Sequence, residues 1–224
     1  MLLYAASYDG QGAIAVRAGK DYAKLTGDTS YAALTLVRFG RFDEVLEIQN
    51  RPKADIQGGL WDFAQGYAHL KTGNADFAGL YLGRVRKAAD TSKTMFRVHA
   101  AKDLLGIAAG ILEGETRRMA GDLDAAIAAF RQAAGAQAAL VYDEPEPLPF
   151  SAFHWLGAAL LEAKRFKEAE QAYREELKDH PKNGWSLLGL QQALAGQGIT
   201  SPEVDAELSA GWARADTWIS ASRF

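Results

Sequence analysis

Cysteine is missing from all 224 residues, which excludes a disulfide framework and thiol-based chemistry. No apolar run approaches the ~20 residues of a membrane-spanning helix. The chain has a net charge of −3, so it has no surplus of basic residues of the kind found in dedicated nucleic-acid-binding proteins. These absences do not decide between cytoplasm and periplasm. We expect a cytoplasmic protein, and the periplasm stays open if the chain is a fragment of a secreted precursor.

Sequence motifs of catalysis and cofactor binding are also absent. There is no nucleophile elbow or phosphate loop, and Gly10-Gln11-Gly12 lacks the third glycine and the preceding strand of a dinucleotide fingerprint. His99 and Asp103 share a predicted helix face, but two ligands do not make a metal site. We therefore predict no enzyme, no cofactor and no metal.

Helical patterning covers nearly the whole chain, and strand signals are almost absent. Apolar residues make up 48% of the sequence, which is enough for a packed core. N-caps are predicted at Asn74, Asp122 and Ser201. The predicted helices are 12–26, 30–39, 42–50, 56–72, 75–89, 94–120, 123–141, 151–163, 166–179, 184–195 and 202–217.

One spacing recurs along these helices. Gly157 is followed after seven residues by a turn and after five more by Ala169, so two helices can approach closely where side chains are small. Glycine at the turn tolerates positive φ. A fixed period is the signature of stacked helix pairs. The same step occurs at Gly66/Gly73/Ala78, Gly114/Gly121/Ala126 and Ala33/Gly40/Val45, and more loosely at Gly189/Gly196/Ser201.

Residues 150–183 resemble one complete tetratricopeptide repeat, through Leu156-Gly157, Ala169, Tyr173 and Pro181. The resemblance implies an all-α fold: a right-handed superhelical solenoid of antiparallel helix pairs, about five units in one domain over residues 1–224. The chain as a whole is similar to the C-terminal half of bacterial tetratricopeptide proteins of unknown function. That similarity carries no established activity. The segments that support it are 36–46, 142–145, 183–186, 212–216 and 222–224.

Both ends of the chain depart from the repeat. Leu3, Gly10 and Ala15 fit only a turn and a second helix, so we expect the C-terminal part of a longer repeat protein, or else a short capping helix that opens at Met1. Residues 198–224 form a degenerate cap. Within it, the segment 212–224 either closes the end of the last helix pair as a lid or inserts into another protomer. The expected state is a monomer or a weak homo-oligomer.

A proline-rich strap, residues 142–150, interrupts the period. Its three alternating prolines force an extended backbone. Two interpretations stay open. The strap folds over a groove and presents Asp143, Glu144 and Glu146 opposite its basic residues as an internal pseudo-ligand, with Tyr142 also in the binding site, or it is a plain spacer between helices.

In the tetratricopeptide fold the first helices of successive pairs line a concave groove. The resemblance therefore implies a scaffold that binds a protein or peptide there. The alternatives are that the groove side chains are merely solvated, or that the chain is a small-molecule binder or enzyme with a pocket under the strap, using His154, Glu115 and Arg118. The residues expected in the groove are Arg38, Tyr67, Lys71, Glu115, Arg118, His154, Asn183 and Ser186.

Overall fold

A computed structural model describes all 224 residues and contains twelve α-helices and one short β-hairpin. None of the helices combines the length and the apolar character that crossing a membrane requires. The helices are α1 Leu2–Tyr8, α2 Gly12–Thr26, α3 Ser30–Arg38, α4 Phe42–Leu46, α5 Asp55–Lys71, α6 Ala75–Thr91, α7 Ala101–Met119, α8 Leu123–Ala138, α9 Ala152–Glu162, α10 Phe166–Asp179, α11 Gly184–Gly196 and α12 Pro202–Gly211. The strands are β1 Met95–Phe96 and β2 His99–Ala100.

Most helix starts and turns follow the local chemistry that the sequence predicts. Asp122 accepts a hydrogen bond from Ala125 N, and Ser201 accepts one from Val204 N, as N-cap side chains do. Asn74 occupies the N-cap position of α6 without such a bond. The predicted turn glycines have positive φ with one exception: α11 continues through Gly196, and Gly198 makes the turn instead.

The helices pack as pairs in sequence order. Each odd-numbered helix contacts the even-numbered helix that follows it, and α3, α5, α7, α9 and α11 also contact one another in succession. Apart from α1, the odd-numbered helices have most of their residues buried, and in α3 all nine residues are buried. They therefore form the inner layer, and the even-numbered helices form the outer layer.

Glycines let the two layers approach closely, as the sequence predicts. The ring of Tyr173 on α10 lies against Gly157 on α9 and Gly189 on α11. A Cβ atom at these glycines would lie 2.3 and 2.0 Å from that ring. The repeated small residue therefore marks the place where an aromatic ring of the outer layer enters the inner layer.

Three helix predictions need correction. The segment 94–100 is a hairpin rather than the start of α7, because Arg97 adopts a positive φ and Arg97 and His99 pair with Asp143 of the strap. These tertiary contacts leave no trace in local periodicity. The helix predicted over 42–50 ends at Leu46, and the last helix ends at Gly211 rather than 217.

The first and last helix pairs meet. Trp185 on α11 donates a hydrogen bond to the main-chain oxygen of Ser7 on α1, at 3.0 Å. Nearby, the ring of Tyr8 stacks on that of His180 with centroids 4.4 Å apart. The first and the last inner helices, α1 and α11, are therefore in contact. Irregular segments of the chain cover the inner face.

Candidate functional site

The residues predicted to line a groove lie on the inner helices, but most are buried. Arg38, Tyr67, Glu115, His154, Asn183 and Ser186 are almost inaccessible to solvent. Much of this cover is the segment Thr217–Phe224, here called the tail. The segment 212–224 contacts α11 of the last helix pair, as the expected lid would, but its tail extends further and reaches α3, α5 and α7 of its own chain.

The root of the tail is fixed beside the N-terminus of α2. The carboxylate of Asp216 accepts hydrogen bonds from Gly12 N at 2.6 Å and Ala13 N at 3.0 Å. Burial opposes the charge of this carboxylate, but the amide hydrogen bonds prevail and lower the pKa of Asp216. Just before it, the ring of Trp212 packs against Gly184.

Inner-face side chains hold the tail by its main chain. Every second carbonyl oxygen accepts a hydrogen bond, which is the pattern of an extended segment bound along one edge. Such bonds do not depend on the identity of the bound side chains. The three bonds are Gln192 Nε2 to Ser220 O at 2.8 Å, Arg38 Nη1 to Ser222 O at 3.3 Å and Tyr67 Oη to Phe224 O at 2.7 Å.

Arg38 depends on the tail for its hydrogen bonding. Its guanidinium lies 3.6 Å from the centre of the Trp185 ring, and Ser222 O is its only hydrogen-bond acceptor within the chain. Burial lowers the pKa of Arg38, although it stays charged at neutral pH. A buried cation without an adjacent carboxylate is costly, so an acceptor supplied by a bound segment stabilises it.

The side chain of Ser222 is fully enclosed. Its hydroxyl donates to the main-chain oxygen of His154 at 2.7 Å and lies 2.8 Å from the hydroxyl of Tyr173. Both groups belong to the helix pair α9–α10. The hydroxyl is therefore satisfied from two sides, as buried polar groups require.

Arg223 enters an ion cluster on the inner face. Its two terminal nitrogens lie 3.3 Å from Glu115 and 3.5 Å from Glu162. Lys71 and Arg118 also contact Glu115, at 3.2 and 2.8 Å. Burial opposes the charge of Glu115, but the hydrogen bond from Arg118 and the surrounding cations together lower its pKa.

Phe224 sits in an aromatic corner. Its ring meets the Trp185 ring edge-on, with centroids 5.9 Å apart. It also covers the turn glycine Gly40, where a Cβ atom would lie 2.9 Å from the ring. The absence of a side chain at Gly40 therefore makes room for the phenyl group.

His154 and Asn183 face away from the tail, into a polar cluster with Glu176 and His180. Asn183 Nδ2 donates to His154 Nε2 at 2.8 Å and to Glu176 at 2.7 Å. Burial and the nearby cations hold the pKa of His154 well below its usual value, so its ring is neutral. Ser186 is buried and its hydroxyl makes no hydrogen bond within the chain.

His180, unlike His154, has a raised pKa and is protonated at neutral pH. Burial disfavours its charge, but Glu146 and Glu176 lie 2.9 and 2.8 Å from its two ring nitrogens and raise its pKa to about 10. The imidazolium is thus held between a strap residue and α10. Its stacking partner Tyr8 belongs to α1, so three elements meet at this ring.

The strap does not reach the groove cations Arg38, Lys71 and Arg118. Asp143 pairs with Arg97 at 2.8 Å, and Glu146 pairs with His180. Tyr142 is exposed, and its hydroxyl bonds to Glu144. The pseudo-ligand interpretation is therefore wrong for the strap, and the tail is the segment that lies on the groove residues.

A pocket of about 390 Å³ lies beside the strap. Its walls include Glu146, Glu176 and His180. Of the three residues expected in a pocket under the strap, none lines it: Glu115 and Arg118 belong to the ion cluster, and His154 lies behind Asn183.

Sequence reasoning missed several residues that touch the tail, among them Gln192, Tyr173 and Glu162. One of them carries a usable signal, because Glu162 stands five residues after Gly157, as Lys71 stands five after Gly66. Comparison of the chain with protein-family models, curated proteins and solved structures gave no match.

Proposed function

We propose that this chain is a helical-repeat scaffold of the tetratricopeptide type, which binds an extended segment of a protein or peptide along its inner face. The tail, which lies extended on this face in the structure, supports the proposal as an intramolecular example of such a segment. The observation that carries the proposal is the set of three hydrogen bonds from Gln192, Arg38 and Tyr67 to alternate main-chain oxygens. Side chains from three inner helices, α11, α3 and α5, thereby recognise an extended backbone.

The repeat character of the fold supports this function. Helix pairs follow one another in order, and glycines stand at both the turns and the close contacts. In stacked repeats of this kind, successive inner helices produce a continuous binding surface. An extended occupant that touches several units is the ligand expected for such a surface.

The character of the tail also favours a docked segment over a core element. It has no regular secondary structure, and Trp218 within it is 94% exposed. Its fully enclosed side chain, Ser222, is polar, and its apolar side chains Ile219 and Phe224 are only partly buried against the core. A segment held in this way can be replaced by another of similar chemistry without rebuilding the helices.

The test uses a chain that is cut while folded. A protease recognition sequence placed at the exposed Trp218 allows the tail to be severed after purification. A fluorescent peptide with the sequence of residues 219–224 is then added, and its uptake is followed by anisotropy.

We expect the cut chain to take up one labelled peptide, and excess unlabelled peptide to displace it. The uncut chain is the control and takes up far less, because its own tail competes at high effective concentration. Two results would contradict the proposal: a folded cut chain that takes up no peptide, or loss of the helical structure upon cleavage.

A further inference from the structure

The three residues Ser222, Arg223 and Phe224 each meet a different chemical environment, and this bears on what else the inner face can bind. We infer that the groove prefers an extended peptide in which a small hydroxyl residue, an arginine and an aromatic residue follow one another. This inference rests on the proposed function, because it names the ligand class of the same groove.

The cation subsite recognises shape as much as charge. Lys71 and Arg118 already balance Glu115 and Glu162 in number, so a net negative potential does not explain the position of Arg223. The guanidinium of Arg223 reaches Glu115 with one terminal nitrogen and Glu162 with the other. A planar fork can bridge two carboxylates, whereas a lysine ammonium acts as a single point charge.

A carboxylate at this place would face two others, of which Glu115 is fully buried. It would lose both contacts of the fork and would add a third negative charge to a site whose two carboxylates are already balanced by Lys71 and Arg118. The order of preference at the second position is therefore arginine, then lysine, then glutamate.

The aromatic subsite is built from Gly40 and Trp185. Gly40 has φ of +68° and no side chain, and the phenyl ring of Phe224 fills the space above it. The Phe224 ring meets the Trp185 ring edge-on, which is a geometry that aromatic pairs favour. An aliphatic side chain would not make this aromatic contact. An alanine at this position would leave the corner empty.

The hydroxyl subsite selects by size and by hydrogen bonding. Ser222 is completely enclosed, and its hydroxyl contacts both His154 O and Tyr173 Oη. A large side chain finds no room here. An alanine fits, but the inner-face hydroxyl of Tyr173 then loses a hydrogen-bond partner.

The experiment measures competition on the cut chain described above. Unlabelled peptides of residues 219–224 displace the labelled parent, in the parent form and as Ser222→Ala, Arg223→Lys, Arg223→Glu and Phe224→Ala variants. Ala221→Gly is a control at the position just before the three subsites. A scrambled peptide of the same composition tests the order of the three residues.

We expect Arg223→Glu and Phe224→Ala to weaken competition at least about tenfold, which corresponds to ~1.4 kcal/mol. Arg223→Lys and Ser222→Ala should weaken it by about threefold, and Ala221→Gly by less than about twofold, because it removes only one methyl group from a partly buried position. If the scrambled or Arg223→Glu peptide competes as well as the parent, the preference is wrong while the groove proposal stands. If the parent itself fails to bind, both fall.

A change on the groove side gives an independent readout. Glu162 is partly exposed, so Glu162→Arg should fold, and it places a cation opposite the Arg223→Glu peptide. We expect this pairing to recover at least about threefold of the lost affinity, as coupled charge pairs do in double-mutant cycles. Asp76→Arg, an identical charge change on the outer helix α6, should recover none. Equal effects of the two variants would contradict a local contact between positions 162 and 223.

Discussion

The strap and the tail are both irregular segments that cross the inner helices, yet they are attached in different ways. The strap inserts two apolar side chains, Leu148 and Phe150, that are fully buried in the common core. The tail exposes Trp218, packs Ile219 and Phe224 against the core only partly buried, and is held by its main-chain oxygens and by the polar side chains of Ser222 and Arg223.

The comparison shows that position along the inner face does not by itself define a ligand-like segment. Apolar burial makes a segment part of the cooperative fold. Attachment through hydrogen bonds and ion pairs, with apolar side chains only partly buried, leaves a segment able to open locally. The strap is of the first kind, and we interpret the tail as the second. The predictions below test that distinction.

The largest difference in the loss of stability is expected between alanine substitutions of two phenylalanines, one in the strap and one in the tail. Phe150→Ala removes a buried ring that packs between Phe63 and Trp155, and it should lower the free energy of unfolding by about 3–5 kcal/mol. Phe224→Ala removes a partly exposed ring and should cost only about 1–2 kcal/mol. Urea unfolding of both variants measures this. Equal losses would indicate that tail and strap belong to the core alike.

The anchor of the strap should respond to alkaline pH. The pKa of His180 is raised to about 10 by Glu146 and Glu176, so its stabilisation is complete below the unfolded value of 6.5 and is lost as the pH rises through about 10. His180→Gln should cost about 1.5–3 kcal/mol at pH 7, the usual contribution of hydrogen bonds to charged groups.

Unfolding of both forms from pH 6 to 10.5 checks this prediction. The difference between wild type and His180→Gln should shrink towards the alkaline end. A difference that is constant across this range would rule out the charged ring as its source.

The root of the tail should respond to acid instead. The pKa of Asp216 is lowered by amides of α2, so its contribution is present above the unfolded pKa and is lost as the pH falls through the folded value. Asp216→Ala should cost about 1 kcal/mol at pH 7, the usual value of a helix cap, and much less near pH 3. A loss that does not change with pH would contradict the role of the carboxylate.

Trp218→Ala should have the smallest effect. Its side chain is 94% exposed, so its removal should change stability by less than about 0.5 kcal/mol. A loss beyond that limit would show that Trp218 has a packing partner.

Local chemistry made much of the fold predictable. The spacing of Gly157 and its equivalents identified the helix pairs and most of their turns, because close helix contacts and positive φ both demand glycine. The hairpin around Arg97 could not be predicted in this way. It depends on Asp143, which is distant in sequence.

The groove residues were also predictable from the sequence only in part. The repeat pattern placed Arg38, Tyr67 and Glu115 on the inner face, and all three contact the tail. The sequence did not reveal which segment would cover them. Carboxylates in the strap suggested a match to the groove cations, but those carboxylates pair with Arg97 and His180, which lie outside the predicted groove.

The most direct test compares single cysteines in a chain that has none. Ser222→Cys in the tail and Ser151→Cys at the N-cap of α9, directly after the strap, replace two serines that are both buried. The rate of thiol modification under native conditions gives the free energy of the opening that exposes each site. We predict that the thiol at position 222 reacts through a local opening of the tail, at least about 2 kcal/mol easier than global unfolding and insensitive to low urea. The thiol at position 151 should react only upon global unfolding. If both thiols are protected to the full unfolding free energy, the tail is part of the core and the account of a replaceable occupant is contradicted.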